Sequence, residues 1–180
     1  HNTILVNGKE QKPRVPGGDG KMTGYFDSPN FGYVSGDASN PKIYMGELKR
    51  FDRDILFLKP DFVAVYDRLA ADKPSKFQWL MHSHSAKPMD YAAGKFSFER
   101  PLARMSGVML LPEKFTGSVA PSYSPEVGPV LGYSETKNPD PQPEWTLTVE
   151  NADAAKETEF LSVMQIARAR EVCNAEWRKA

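Results

Sequence analysis

The sequence predicts an all-β protein, an antiparallel β-sandwich. Two observations carry that expectation. Short runs of β-branched and aromatic residues recur along the chain, many alternating apolar with polar at the two-residue period of a strand. Fifteen Pro and thirteen Gly are spread between these runs rather than gathered in one linker, as turns between many short strands require. At 180 residues the chain reads as one domain, residues 1–180, long enough to bury a core. No repeat of 20–50 residues is visible.

Residues 3–6 (TILV) read as a strand ending in the turn pair Asn7-Gly8. Residues 12–20 (KPRVPGGDG) read as a loop. Its Gly-rich end lacks both the following helix of a phosphate cradle and the alternating acids of a calcium loop. Residues 31–39 read as a strand running into a turn. Residues 46–53 and 54–58 are strand-like, Lys59-Pro60-Asp61 is a turn, and 62–69 (FVAVYDRL) is a strand. The segment ILFLKPDFVAVYDRL is thus a hairpin, apolar on both faces near its middle, and expected to be covered on both sides. AADKPSK, residues 70–76, reads as turn residues leading into the strand FQWLMHS. Further strands are expected at 95–98, 105–111, 145–149 and 159–165. Residues 112–143, rich in Pro, Gly and Ser, read as one surface excursion with a short strand at 130–133. The tail IARAREVCNAEWRKA has partly helical spacing and is expected to be a strand fraying into a short C-terminal helix.

Lys+Arg and Asp+Glu both number 23, so the net charge is zero, and neither nucleic acid nor an anionic membrane is indicated as a whole-surface partner. No apolar run approaches the roughly 18 residues of a membrane helix. The single cysteine, Cys173, excludes an internal disulfide, and nothing near it marks an activated thiol.

Three histidines are present: His1, His82 and His84. His82 and His84 stand two apart on a strand and so share a face. Such a pair can ligate a metal if a third ligand is found; otherwise the two are polar residues, or a substrate contact, where a strand leaves the core. His1 has three readings: a terminal residue without a role, an internal histidine whose ring alone could ligate, or a true N-terminus whose amine and ring chelate copper. Asp52, Asp54 and Asp67, each beside an arginine, read as strand-edge charges in weak ion pairs. Trp79, within an apolar strand, is expected in the core.

Taken in order, HNTILVNGKEQ, ILFLKPDFVAVYDRL with its terminal Asp67-Arg68 pair, FQWLMHS and the late FLSVMQ resemble the heparinase II/III-like polysaccharide lyases. The resemblance spans roughly residues 1–165 and is most specific at 1–11 and 50–83. It implies the supersandwich-like β-domain of an enzyme whose other part is an N-terminal α/α toroid. No stretch of the present sequence resembles that toroid, so the native polypeptide is expected to extend well before His1. The resemblance further implies that His1 is a ligand of a structural zinc ion, the other ligands lying upstream.

The implied reaction is β-elimination on a uronic-acid polysaccharide of heparin, heparan or alginate type, with a periplasmic or secreted location. No catalytic residue can be placed on this sequence. Tyr25, Tyr33, Tyr44 and Tyr66 are present, but no spacing singles one out as acid or base. His82, closing FQWLMHS, is the residue expected to face the substrate cleft. The alternatives are a non-catalytic carbohydrate-binding or structural sandwich, and a copper oxidase built on His1.

Overall fold

A computed structural model describes residues 2–12, 15–85, 87–122, 144–169, 171 and 173. Among these there are twelve strands and no helix. In chain order they are β1 (Ile4–Val6), β2 (Lys21–Asp27), β3 (Phe31–Asp37), β4 (Arg50–Leu58), β5 (Phe62–Ser75) and β6 (Phe77–His84). There follow β7 (Asp90–Ala92), β8 (Lys95–Glu99), β9 (Ala103–Leu111), β10 (Phe115–Pro121), β11 (Glu144–Asn151) and β12 (Ala155–Arg168). They form a four-stranded sheet, β1-β6-β11-β10, and an eight-stranded sheet, β2-β3-β4-β5-β12-β9-β8-β7. Every strand pairing is antiparallel, and the all-β sandwich is as expected.

The alternation read from the sequence selects the core. Phe77, Trp79 and Met81 of β6 lie beside Leu147 and Val149 of β11 and Ile4 and Val6 of β1, all buried. They belong to one cluster with Leu69, Phe96, Met109, Phe160 and Met164 of the large sheet. The Asn7-Gly8 turn forms as expected. Both residues have positive φ, 52° and 75°, the requirement of a type I′ hairpin, and Val6 and Lys9 exchange backbone hydrogen bonds across it.

Close packing leaves no room at Gly107. A Cβ built there would lie 2.6 Å from Phe96 Cζ and 2.9 Å from Met164 Cγ. Both side chains are buried. Gly107→Ala is therefore expected to cost about 1–3 kcal/mol in urea denaturation, and a Gly107→Ala/Phe96→Leu double variant to recover part of that loss.

Four local expectations need correction. Residues 46–49 are not strand; the chain turns there and β4 begins at Arg50. Residues 70–75 are not a turn: β5 continues to Ser75, pairing Ala70 with Arg50 and Ser75 with Ala155. Pro74 is tolerated near the end of the ladder, beside the irregularity in β12. The region after Pro112 is not all surface excursion, because β10 runs at Phe115–Pro121 and packs Phe115 and Val119 against the core. The expected strand at 130–133 lies outside the described residues. So does most of the tail expected to fray into a C-terminal helix, while its first residues, Ile166 to Arg168, end β12.

The last correction concerns the central hairpin. Its inward face is core, but its outer face is covered by no third layer among the described residues. Phe26 and Phe31 stack there with centroids 5.1 Å apart, and Leu58 stays 49% exposed. Two further strands, β2 and β7, were not foreseen. β2 is an edge strand exposed along nearly its whole length.

Candidate functional site on the outer face of the small sheet

The outer face of the four-stranded sheet is polar. Register sets its members: Glu144 lies opposite His84, Thr146 opposite His82, and Glu150 opposite Gln78. His82 and His84 therefore share a face, as their spacing predicts, and Glu144 lies close to both. Its Oε1 is 2.9 Å from His82 Nδ1, and its Oε2 is 3.6 Å from His84 Nε2. The Thr146 hydroxyl is 3.1 Å from the same Nδ1 and 2.7 Å from the Ser122 hydroxyl. At the strand's other edge the His82 backbone N–H donates to the Asn2 side-chain carbonyl at 2.7 Å. The chain leaving β1 toward its start thus runs directly beside His82.

Half-burial and these partners define the imidazole chemically. Burial pushes the His82 ring below its ordinary value of 6.5, while the Glu144 carboxylate pulls the other way. Near neutral pH the ring is uncharged. A carboxylate can only accept, so Nδ1 carries the hydrogen and Nε2 the lone pair. A ring held in this tautomer can accept a hydrogen bond from a sugar hydroxyl or take a proton. The sign of its effect on stability follows. The neutral ring contributes stability that is fully present above 6.5 and is lost as pH falls below it. His82→Asn is expected to flatten the fall in unfolding free energy between neutral pH and mild acid, read by denaturant titration at each pH.

The remaining sequence candidates scatter. Tyr33 donates to Asp54 at 2.7 Å, Tyr66 to Glu159 at 2.6 Å, and buried Tyr44 to the Ile4 carbonyl at 2.8 Å. Tyr25 is 72% exposed on the edge strand β2. None of the four hydrogen-bonds a residue of the His82 cluster. Trp79 is core, as expected. Cys173 is half-buried with its Sγ 3.9 Å from the Gln165 carbonyl.

Asp67 departs from expectation. It is not a strand-edge charge but wholly buried, gripped by Arg53 through two bonds of 2.6 and 2.8 Å. Its neighbour Arg68 points to the other face and holds Asp54 at 2.9 Å. Arg53 also donates to the Asn2 backbone carbonyl at 2.7 Å, so the buried pair anchors the segment beside His82.

This arrangement is built on a fold found in larger enzymes. The heparan sulfate lyase HepC from Pedobacter heparinus matches with a TM-score of 0.69 at 12% identity, over 96% of this chain and 25% of that one. The chain has the fold of one part of a heparan sulfate lyase. Heparinase III, the BT4657 gene product, matches with a TM-score of 0.69 at 11% identity, over 97% of this chain and 25% of its own. Another heparinase III matches with a TM-score of 0.64 at 12% identity, over 91% and 23%. The chain thus spans about a quarter of the length of the lyases it matches. No family model and no curated protein matches the sequence.

The expected zinc ligand, His1, lies outside the described residues. Among the described residues no group of three or more His, Cys, Asp or Glu is placed to hold a metal ion. The described donor set does not by itself fit zinc. Glu144, Thr146, Ser122 and Asn2 were not singled out from the sequence. The signal for them lies in the register of β6 against β11 and β1, which sequence alone does not supply.

Proposed function

We propose that this chain is the β-sandwich part of a polysaccharide lyase and that the polar outer face of its small sheet lines the substrate cleft. The observation that carries the reading is the likeness in fold to heparan sulfate lyases over 96–97% of the chain. The substrate class is a uronic-acid polysaccharide of heparan or alginate type. Cleavage is by β-elimination: a base takes the C5 proton, the C4–O bond breaks with its electron pair on the leaving oxygen, a C4–C5 double bond forms, and an acid protonates the leaving oxygen.

The acid and base are assigned to the remaining part of the enzyme, an α/α toroid preceding this domain. His82, in its Glu144-held tautomer, contacts a sugar hydroxyl or the uronate from the sandwich side. A structural zinc ion bound through His1 and upstream residues belongs to the same reading, as does a periplasmic or secreted location. No step of the reaction is routed through the metal.

The test is to incubate the natural gene product with heparan sulfate and with alginate, and to follow the ultraviolet absorbance of the unsaturated sugar. The reading expects absorbance to grow with one of them and to stay flat with the 180-residue chain alone. Saturated fragments, each one water heavier, would identify a hydrolase instead. No cleavage of any uronate polymer would favour a non-catalytic binding domain.

A further inference from the structure

The two sheets are unequal in width, and the consequence falls on the β2–β3–β4 end of the larger one. Register places Tyr25, Val34, Ile55 and Val65 in one row across β2, β3, β4 and β5 on the side facing the small sheet. Val65 packs against the core. Beyond it, among the described residues, the small sheet ends with β1. Val34 and Ile55 line an open cavity of about 430 Å³ instead, together with Phe51, Arg53 and Thr3. Tyr25, at the end of the row, is 72% exposed. A sheet face carrying half-buried valine and isoleucine toward an open cavity, with Met22 beside them 72% exposed, is a surface built to be covered.

We infer that this face is filled by the segment of the longer polypeptide that leads into residue 1. Three observations choose that occupant. Thr3 and Arg53 line the cavity, and Arg53 holds the Asn2 carbonyl, so chain arriving at Asn2 arrives at the cavity mouth. The lyases of matching fold are about four times as long, which supplies the chain to fill it. Finally, the outer edge of β1 is already occupied. Arg53 takes the Asn2 carbonyl, Tyr44 the Ile4 carbonyl, and Lys9 both backbone groups of Val6. The incoming segment therefore docks by apolar side chains over β2–β4, and does not simply add a strand to the small sheet. The inference rests on the proposed reading of this chain as one part of a longer lyase, and not on the reaction assigned to that lyase.

Thiol labelling tests it. In a Cys173→Ser background the chain has no other cysteine. Val34→Cys and Tyr25→Cys then report the cavity and its rim, with Leu102→Cys, at an 86% exposed position, as a control. In the 180-residue chain both reporters should react rapidly with a maleimide at every protein concentration. In the natural gene product both should slow by about tenfold or more while Leu102→Cys is unchanged. Equal rates in the two proteins would overturn the inference. Rates in the short chain that fall as its concentration rises would name a second copy as the occupant and overturn it as well. So would a natural product no longer than the 180 residues. If Val34→Cys fails to fold, Tyr25→Cys, on the exposed edge strand, still decides.

Discussion

Asp67→Ala should destabilise the protein by about 3–5 kcal/mol, the cost of breaking a buried ion pair from one side. Asp67 is wholly buried and Arg53 retains only 21% of its side-chain exposure. Burial pushes the Asp67 carboxyl upward, and the Arg53 guanidinium opposes that. Removing the carboxylate leaves a guanidinium facing the core with two donors unmatched. Arg53→Met should cost a similar amount, because it leaves the acid without its partner. The double variant Asp67→Leu/Arg53→Met should recover much of the loss, since no unpaired polar group then remains. Denaturant titration with an unchanged slope reads all three. The damage should reach the outer face of the small sheet as well. Arg53 holds Asn2, and Asn2 holds the His82 amide, so Asp67→Ala should speed hydrogen exchange at His82 more than at Val149. A cost near that of a surface pair, below about 1 kcal/mol, would mean that the pair is not buried in solution.

The second large effect is on activity. In the natural gene product His82→Ala should lower kcat/KM by about 3- to 10-fold, the worth of one hydrogen bond accepted from a sugar hydroxyl, about 0.5–1.5 kcal/mol. A residue that only binds the sugar raises KM and leaves kcat nearly unchanged; a residue that also handles a proton lowers kcat. Glu144→Gln should fall between His82→Ala and the natural protein, because it keeps the ring but loosens its tautomer. His82→Ala indistinguishable from the natural protein would remove His82 from the site.

The parts of the fold legible in the sequence are those where a two-residue period meets a distinct turn. FQWLMHS gave β6 with its inward Phe77, Trp79 and Met81, and Asn7-Gly8 gave the first hairpin. The strands missed are of two kinds. KMTGYFD and FTGSVAP carry glycine mid-run and sit at sheet edges, where little burial enforces alternation. DYA is too short to show any period. Asp67 was misread because local sequence shows a charge beside a charge. Its partner, Arg53, is brought opposite only by the β4–β5 register. The same limit applies to the site. His82 and His84 could be placed on one face from their spacing, but Glu144 joins them across a ladder, 60 residues on, through a register no local pattern encodes. The likeness to heparinase-type lyases rested on separated short motifs, and the fold agrees with it over nearly the whole chain.

The most direct measurement is a crystal structure of the natural gene product with a bound uronate oligosaccharide. The account predicts the sugar against the outer face of the β1-β6-β11-β10 sheet, with an oxygen within about 2.6–3.2 Å of the His82 imidazole. A sugar bound away from that sheet, with His82 covered by protein, would contradict it.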